Sequence, residues 1–487
     1  MKKIVKLLLL GLLVWGMPGA VHAQQTYAAD WAALDARPVP QWFRDAKLGI
    51  FIHWGVYSVP AWAPVGKEYA VYSKYSEWYW NRLVTDSSKV GDAFRAYHNK
   101  TYGPHFAYQD FAPMFKAELF NPEQWAEIFK KAGAQYVVLT SKHHDGFALW
   151  PSAQSWNWNA VDVGPHRDLA GDLSDAVKSK GLHMGFYYSL YEWFNPLYKS
   201  DFNKYVSDHM MPQLKDLVLR YKPDIIWPDG EWEHSSDEWK SKEFLAWLYN
   251  ESPVRNTVAV NDRWGKETRS RHGGYYTTEY DIVDDKDASN KKFDHPWEEC
   301  RGIGGSFGYN RNESLGDYET SDAVIHMLIQ KVARGGNLLL DIGPAADGTI
   351  PVIMQQRLAD LGAWLGTNGE AIYGTTAGPQ GMGAVAGTAT KGAVAGTAGT
   401  ATKGAMVRKD VFFTQKNKDL YLILTSAQAG AVSVNLPHVP TAVVLLGSDK
   451  KIGYRFSKGK CVVDANVLYP NLPSGGYAWV VKLENAL

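Results

Sequence analysis

The chain has 487 residues, which is too long for one small hydrophobic core and predicts two domains after processing. Its 51 lysines and arginines equal its 51 aspartates and glutamates, which argues against a nucleic-acid-binding protein, because such a protein needs a basic face. Aromatic residues are abundant, with 20 Trp and 27 Tyr, and besides filling a core their flat rings suit stacking against the apolar face of a sugar.

The N-terminus has the composition of a secretory signal. Lys2 and Lys3 form a charged start, an apolar run that includes residues 8–15 follows, and Ala-Val-His-Ala at 20–23 fits cleavage after Ala23. The run is too short for a membrane span, and no cysteine lies near the cleavage point for lipid attachment. We therefore expect residues 1–23 to be removed and the protein to be exported to a periplasm or to the medium.

From residue 24 to 372, short apolar segments alternate with amphipathic ones. Asn121 caps a predicted helix that starts at Pro122 and ends before Gly133, and residues 168–179 carry one apolar face. The predicted strands are 48–54, 136–142, 183–189, 224–229, 258–262, 275–280, 303–307 and 337–342. Repeated alternation of strand and helix predicts an α/β fold, a (β/α)8-like barrel. The alternative is a doubly wound open sheet, which the lack of a Gly-rich phosphate loop after the first strand disfavours.

The composition changes after residue 372. Residues 373–408 are predicted to be a low-complexity linker or loop, because Gly, Ala and Thr dominate them and the string Gly-Thr-Ala-Thr-Lys-Gly-Ala occurs twice. Residues 409–487 are predicted to form a C-terminal antiparallel β-sandwich. Its predicted strands are 411–413, 420–424, 431–436, 442–446, 460–463 and 477–481. Disulfides do not hold this fold together, since the chain has two cysteines, Cys300 and Cys461, whose pairing stays open.

Two acidic residues end aromatic strands. Asp229 ends Ile-Ile-Trp-Pro-Asp, and Glu279 ends Tyr-Tyr-Thr-Thr-Glu. A carboxylate at the end of an apolar strand is costly to desolvate unless a neighbour or a substrate compensates it. Two carboxylates from different strands of one barrel are what glycoside hydrolysis requires, although each could simply be solvated where its strand ends. Glu231 and Glu233, just after Asp229, are rival acids.

Histidines also follow predicted strands. His53 ends the first strand, and His143, His144 and Asp145 follow the second. Metal ligation by these four is one hypothesis, since imidazole and carboxylate suit Zn or Fe. Against it, adjacent side chains of an extended segment point in opposite directions, and the chain lacks a His-Glu-x-x-His helix. The other hypotheses are that the histidines donate hydrogen bonds to hydroxyls of a polar ligand, or that they are structural.

Further candidates lie near the predicted barrel mouth. Arg263 follows the strand 258–262 and either orients a carboxylate, contacts a ligand or makes a surface salt bridge. Glu77 and Trp78 lie in a Tyr/Trp-rich insertion, while Tyr187 and Phe307 lie near predicted strand ends. Each aromatic residue alone is more often a core residue, but their shared placement favours a sugar pocket. The chain has no Gly-x-Ser-x-Gly elbow and no Walker loop, which removes two common hydrolase classes.

These motifs occur in the order seen in family 29 glycoside hydrolases, the α-L-fucosidases, which the chain resembles from about residue 30 to 375. The motifs are Phe-Ile-His-Trp-Gly at 51–55, Lys-His-His-Asp-Gly-Phe at 142–147, Trp-Pro-Asp-Gly at 227–230, Asn-Asp-Arg-Trp at 261–264, Thr-Glu-Tyr at 278–280 and Ser-Phe-Gly-Tyr-Asn at 306–310. The resemblance implies a somewhat irregular (β/α)8-like barrel without metal or cofactor, with Asp229 as nucleophile and Glu279 as acid/base. It also implies nine fucose-binding residues: His53, Glu77, Trp78, His143, His144, Tyr187, Trp227, Arg263 and Phe307. The Thr-Glu-Tyr motif is similar to the branch of broad linkage specificity.

The reaction that this resemblance implies is a retaining double displacement on terminal α-L-fucosyl linkages of oligosaccharides or glycoconjugates. Retention predicts carboxyl groups about 5–5.5 Å apart. Trp227 and Phe307 would form an apolar wall for the C6 methyl group, opposite His53, His143 and His144. The alternatives are a secreted barrel that binds glycans without cleaving them, a metal-dependent hydrolase, and a glycosidase acting on galactose.

Overall fold

The structure is a computed structural model that describes residues 26–280, 295–379, 384–385, 410–426, 431–448, 452–464 and 476–487. The predicted signal peptide and residues 380–383 and 386–408 of the predicted linker lie outside these ranges. In the ranges described, we find no helix with the length and apolar composition of a membrane-spanning segment.

Eight parallel strands form the first domain. They are β1 Leu48–Ile52, β2 Tyr136–Lys142, β3 His183–Ser189, β4 Ile225–Asp229, β5 Ala259–Val260, β6 Tyr276–Glu279, β7 Trp297–Gly302 and β8 Asn337–Ile342. Their order in the sheet is β5-β4-β3-β2-β1-β8-β7-β6. Because the strand order follows the chain around this sheet, the sheet curls into the predicted (β/α)8-like barrel rather than the doubly wound alternative.

Two backbone hydrogen bonds join the ends of the sheet. Gly274 N donates to Asn261 O at 3.1 Å, and Tyr275 N donates to Val260 O at 3.0 Å. A Cβ atom at Gly274 would lie 1.8 Å from the Val260 carbonyl oxygen, so the close approach of these two segments requires glycine.

The strands are buried on both faces, as expected for a parallel sheet covered by helices. Side chains alternate along each strand, so that Ile50 belongs to the core between sheet and helices while Phe51 belongs to a second core inside the barrel. The same alternation sends Tyr187 and Trp227 inward, where they contact Phe51 at ring-centroid distances of 5.9 and 5.1 Å. The inner face is therefore aromatic below the level at which the polar residues begin.

The predicted strand 303–307 is wrong, because the seventh strand is Trp297–Gly302 and residues 303–307 form the loop after it. The sequence does not predict the strand Trp297–Gly302, because its polar residues interrupt the apolar pattern of a buried strand. Glu298 is fully buried and accepts hydrogen bonds from Tyr136 Oη at 2.5 Å and Trp227 Nε1 at 2.9 Å. A buried acidic residue whose hydrogen-bond partners are distant in the chain does not fit the apolar pattern from which a strand is predicted. The predicted strand 258–262 is also shorter than expected, at two residues.

Twelve α-helices lie in the described ranges. They are α1 Trp31–Asp35, α2 Gln41–Ala46, α3 Tyr79–Val84, α4 Lys89–Thr101, α5 Pro122–Lys131, α6 Leu169–Ser179, α7 Pro196–Ser200, α8 Phe202–Lys204, α9 Met211–Tyr221, α10 Ser241–Asn250, α11 Ser321–Ala333 and α12 Val352–Asn368. A π-helix, Tyr205–Met210, joins α8 to α9. Short 3-10 turns are Val56–Ser58, Val71–Ser73, Ser76–Trp78, Tyr108–Met114, Ala153–Ser155, Leu315–Asp317 and Gly369–Ala371. The predicted cap at Asn121 is confirmed, since its side chain accepts a hydrogen bond from Gln124 N. Asp168, which was not predicted as a cap, accepts one from Gly171 N in the same way.

The C-terminal residues form two antiparallel sheets, which confirms the predicted β-sandwich. The strands are β9 Thr376–Ala377, β10 Ala384–Val385, β11 Val411–Lys416, β12 Asp419–Leu424, β13 Ala431–Asn435, β14 Ala442–Leu445, β15 Tyr454–Ser457, β16 Lys460–Asp464 and β17 Trp479–Glu484. One sheet has the order β14-β17-β12-β11-β9, and the other β10-β13-β16-β15. Strands β9 and β10 fall within residues predicted to be a linker, and β15 was not predicted. Cys300 in the barrel and Cys461 in the sandwich are both buried and unpaired.

Candidate active site

Asp229 ends β4 and points into the barrel. Alternation along this strand puts Ile225 and Trp227 in the inner core, and Asp229 is the next inward residue, above them. The chain turns at Gly230, whose φ is +77° and where a Cβ atom would lie 2.8 Å from Tyr191 Cβ. The glycine lets the chain leave the strand directly after the carboxylate, so that Asp229 sits at the mouth of the barrel.

The Asp229 carboxylate is surrounded by donors and cations. Arg263 Nη1 lies 2.7 Å from Oδ1, and Tyr187 Oη donates to Oδ2 at 3.0 Å. Arg269 Nη2 and His144 Nε2 lie 3.6 and 3.7 Å away. Burial acts to raise the pKa of Asp229, but Arg263, His144 and Arg269 outweigh it and lower the pKa to about 2. Asp229 is therefore an anion at neutral pH, as a nucleophile must be.

Glu279 ends β6, at the opposite end of the sheet order from β4 and β5, and its side chain enters the same space. Its Oε1 accepts a hydrogen bond from Tyr75 Oη at 2.8 Å, and its Oε2 lies 3.6 Å from Arg263 Nη2. Burial raises the pKa of Glu279 above its ordinary value, and the negative charge of Asp229 adds to the increase while Arg263 opposes it. The pKa values of the two carboxyl groups are therefore displaced in opposite directions, which is the pattern that separates an acid from a base within one site.

Arg263 links the two carboxyl groups through one guanidinium. It is 2% exposed, its Nε donates to Thr277 Oγ1 at 3.0 Å, and its Cζ lies 4.4 Å from the centroid of the Trp227 ring. These contacts fix the plane of the guanidinium, so that one terminal nitrogen faces Asp229 and the other faces Glu279. Both carboxyl groups are therefore within reach of one small ligand.

The three predicted histidines line the same space as neutral rings. Burial lowers the pKa of His53 to about 3 and that of His144 to about 4, and it lowers the pKa of His143 well below its ordinary value. His53 Nδ1 lies 2.6 Å from Asp341 Oδ1, and His144 Nδ1 lies 2.6 Å from Ser189 Oγ. Neutral imidazoles offer one donor and one acceptor each, which suits hydroxyl groups.

The metal hypothesis finds no support in this geometry. Asp145 accepts hydrogen bonds from Tyr108 Oη at 2.8 Å and Phe147 N at 3.1 Å, while His53 and His144 contact other partners. Over the part of the chain that the structure describes, no group of three or more His, Cys, Asp or Glu side chains is arranged to hold a metal ion.

Glu77 connects the Tyr/Trp-rich insertion after β1 to the loop after β7 through hydrogen bonds. It is fully buried and accepts hydrogen bonds from Gly308 N at 2.9 Å and Ser306 Oγ at 3.1 Å. Burial raises its pKa to about 7 against these hydrogen bonds. Phe307 lies between the two donors, and its ring stacks on His53 with centroids 4.9 Å apart at 18°. The loop that was mistaken for a strand is thus part of the cavity wall.

The cavity has a volume of about 510 Å³. It is lined by all eleven site residues predicted from the sequence: His53, Glu77, Trp78, His143, His144, Tyr187, Trp227, Asp229, Arg263, Glu279 and Phe307. It is also lined by residues not predicted as site residues: Phe51, Tyr72, Tyr75, Arg82, Trp232, Lys266, Arg269 and Cys300. None of the cavity-lining residues comes from the C-terminal sandwich.

The rival acids have other partners. Glu231 lines the cavity, but its Oε1 lies 2.5 Å from Arg269 Nε, while burial raises its pKa. Glu233 accepts a hydrogen bond from Tyr198 Oη at 2.7 Å and is absent from the cavity lining. Of the acids that follow the nucleophile candidate, only Glu231 is therefore close to it.

Sequence reasoning missed Tyr75 and Arg269, which contact the two carboxyl groups. Tyr75 had a weak signal, because it lies in the same Tyr/Trp-rich insertion as Glu77. Arg269 had none, since it lies in the loop 264–274, and an arginine in a loop is usually a surface residue. Only the closure of the barrel between β5 and β6 brings this loop to Asp229.

Comparisons with known proteins agree on one family. The family model for α-L-fucosidase matches residues 17–370. The tissue α-L-fucosidase of Rattus norvegicus is 42% identical over 475 residues, covering 95% of this chain and 93% of the relative, and that of Homo sapiens is 48% identical over 376 residues, covering 75% and 76%. The crystal structure of Thermotoga maritima α-fucosidase in complex with fucose is 33% identical and has a TM-score of 0.75, covering 94% of this chain and 99% of the other. The same enzyme in complex with a mechanism-based inhibitor gives a TM-score of 0.76 at 34% identity, covering 94% and 100%.

Proposed function

The chain belongs to the α-L-fucosidase family, and from this membership and the geometry of its cavity we propose how it removes terminal α-L-fucosyl residues from glycans. Asp229 is the nucleophile and Glu279 is the acid/base. The observation that carries this assignment is the single guanidinium of Arg263, which contacts the lowered-pKa carboxylate of Asp229 and the raised-pKa carboxyl group of Glu279.

The reaction is a retaining double displacement. In the first step Asp229 forms a bond to the anomeric carbon while the glycosidic bond breaks and Glu279 gives its proton to the leaving oxygen. In the second step Glu279, now a carboxylate, takes a proton from water, and the resulting hydroxide attacks the anomeric carbon and releases Asp229. Arg263 fits both steps, because it keeps Asp229 ionised and also lies close enough to stabilise Glu279 when that group loses its proton. A carboxyl separation of about 5–5.5 Å stays a prediction of this mechanism.

The remaining residues bind the fucosyl group. Neutral His53, His143 and His144 exchange hydrogen bonds with its hydroxyls, and Trp227 and Phe307 form the apolar wall that accommodates the C6 methyl. This division is supported by His144, whose Nε2 lies 3.7 Å from Asp229 Oδ2, and by Trp227, which belongs to the inner core. Phe307 is not opposite all the histidines, since its ring stacks on His53. The substrate class is fucosylated oligosaccharides or glycoconjugates, with the broad linkage specificity that the motif around Glu279 suggests.

Two further features of the chain belong to the proposal. Residues 1–23 direct export to a periplasm or to the medium. The barrel at 24–372 carries the chemistry, and the sandwich at 409–487 follows it, which is supported by the origin of all cavity-lining residues between positions 51 and 307.

The test is hydrolysis of an aryl α-L-fucoside, followed by NMR to identify the anomer released first. Release of the α-anomer supports retention, and release of the β-anomer contradicts it. An aryl α-L-galactoside is the matched substrate, since it differs by one hydroxyl at C6, and a rate equal to that on the fucoside would contradict fucose specificity. Asp229→Gly should lower kcat by at least about a thousandfold, and near wild-type turnover would remove Asp229 as the nucleophile.

A further inference from the structure

His53 and Asp341 form a buried pair in the cavity wall. His53 directly follows β1, and Asp341 lies on β8, the neighbouring parallel strand, where it is in register with Phe51. His53 Nδ1 lies 2.6 Å from Asp341 Oδ1, and the two side chains are 5% and 1% exposed. A contact this short requires a proton between the two atoms, because an unprotonated ring nitrogen and a carboxylate oxygen are both acceptors.

Within the part of the chain that the structure describes, Asp341 has no charged partner other than His53. Among the described residues, His53 is its one ion-pairing partner within 4 Å, and Asp341 Oδ2 is buried without a hydrogen-bond partner. Burial, with the charge of Glu77 adding to it, raises the pKa of Asp341 well above its ordinary value. Burial lowers the pKa of His53 to about 3, with Asp229 opposing this decrease and His144 adding to it. A net negative charge on side chains this buried would have no compensating cation among the described residues, so the two groups form a pair without net charge.

A neutral pair carries two protons, one from the carboxyl group and one from the imidazole. One of them occupies the short contact between Oδ1 and Nδ1. If the second were on Asp341 Oδ2, an O–H donor would be buried without an acceptor, which costs more than a carbonyl oxygen without a donor. The second proton is therefore on His53 Nε2.

His53 Nε2 is the nitrogen available to a ligand. The ring lines the cavity, and Phe307 stacked on it fixes the ring plane. The Nδ1 contact to Asp341 is the one side-chain hydrogen bond that the ring makes within the described residues. A protonated Nε2 in this position donates a hydrogen bond to an oxygen of whatever occupies the cavity.

His144, which also lines the cavity, has the opposite arrangement. Its Nδ1 lies 2.6 Å from Ser189 Oγ, and Ser189 Oγ donates its own proton to Tyr191 O at 2.5 Å. Because the serine has a single proton, His144 Nδ1–H must donate to it, which leaves Nε2 of the neutral ring as an acceptor. That Nε2 lies 3.7 Å from Asp229 Oδ2. A ligand hydroxyl close to Asp229 can therefore donate a hydrogen bond to His144 Nε2.

We propose that Asp341 is a positioning residue that holds His53 with its Nε2–H directed into the cavity, so that His53 donates a hydrogen bond to a sugar oxygen while His144 accepts one from a sugar hydroxyl. The identity of the ligand, an α-L-fucosyl group, rests on the proposed function. The positions of the protons rest only on contacts within the protein, so they can be tested without turnover.

The direct test is nitrogen NMR of the full chain with ¹⁵N-labelled histidine, without ligand, with His53→Gln and His144→Gln used to assign the signals. We expect a protonated Nε2 and an unprotonated Nδ1 in His53, and the reverse in His144. An unprotonated Nε2 in His53 overturns the proposal whether or not the protein hydrolyses fucosides. Absence of hydrolysis with the expected nitrogen signals would instead contradict the proposed function alone.

Two variants give an independent readout. In Asp341→Asn the amide N–H donates to His53 Nδ1 and keeps the proton on Nε2, whereas Asp341→Leu removes the partner and releases the ring. We expect KM for an aryl α-L-fucoside to rise roughly five- to tenfold in the leucine variant and to stay within about twofold in the asparagine variant, with a smaller change in kcat. Equal losses in both variants, or none in the leucine variant, contradict the proposal. If the leucine variant does not fold, the NMR signals of His53 in the asparagine variant decide, because a changed tautomer there overturns the assignment.

Discussion

Arg263→Met is the most informative perturbation of this site. Methionine keeps an unbranched side chain of similar reach but removes the cation that lies 2.7 Å from Asp229 Oδ1 and 3.6 Å from Glu279 Oε2. Burial then acts on both carboxyl groups with less opposition, and it favours their protonated forms. The pKa values of Asp229 and Glu279 should therefore both rise.

The size of the effect follows from the distances. Opposite charges about 4 Å apart attract by about 4 kcal/mol at an effective dielectric constant of about 20, which is equivalent to about three pH units. Arg269, 3.6 Å from Asp229, remains and compensates part of this loss. We expect the pKa of Asp229 to rise from about 2 to about 4 or higher, and that of Glu279 to rise by a smaller amount because its contact to Arg263 is longer.

The assay is kcat/KM for an aryl α-L-fucoside as a function of pH. Activity needs Asp229 ionised and Glu279 protonated, so the acid limb and the basic limb of the profile should both move to higher pH. Arg263→Lys is the matched control, since it keeps the positive charge but loses the guanidinium whose two terminal nitrogens face Asp229 and Glu279. The activity of this variant should fall, while the acid limb of its pH profile stays near that of the wild type. Thermal unfolding checks that the variants are folded, because removing one partner of a buried ion pair costs up to about 3–5 kcal/mol, of which Arg269 offsets a part at Asp229. An acid limb that does not move in folded Arg263→Met would refute the reasoning.

Three further predictions concern the acid/base, its tyrosine partner and the barrel seam. Glu279→Ala should keep most activity on substrates with good leaving groups when azide is added, while Glu233→Gln, the control, should behave like the wild type; a loss in Glu279→Ala that is indifferent to the leaving group would point to Glu231 instead. Tyr75→Phe removes a hydrogen bond that lowers the pKa of Glu279, so the basic limb of the pH profile should move to higher pH, and an unchanged limb would show that this contact does not set the pKa. Gly274→Ala should destabilise the protein by about 3 kcal/mol or more, measured by denaturant unfolding, because the new Cβ meets the Val260 carbonyl; Gly453→Ala, where nothing lies within 4 Å, is the control, and equal stability of the two variants would contradict the role of the seam.

Much of the architecture was readable in the sequence, because it depends on neighbours along the chain. The cap at Asn121, the boundaries of β2, β3 and β8, and the alternation of strands and helices are local patterns, and the structure agrees with them. The motifs that contain Asp229 and Glu279 are local as well, since each is a carboxylate that ends an aromatic strand. The strand at Trp297–Gly302 was missed because its buried Glu298 is stabilised by Tyr136 and Trp227, which are far away in the chain.

The sequence by itself determined the fold class and which residue types line the barrel mouth, since both follow from periodicity and from the order of motifs. The tertiary structure alone decided which side chains meet. Tyr75 reaches Glu279, Arg269 reaches Asp229, and Asp341 reaches His53 across separations that no local pattern records. These contacts set the protonation of the site, because the pKa of a buried group depends on the charges and hydrogen bonds around it in space and not on its neighbours in the chain.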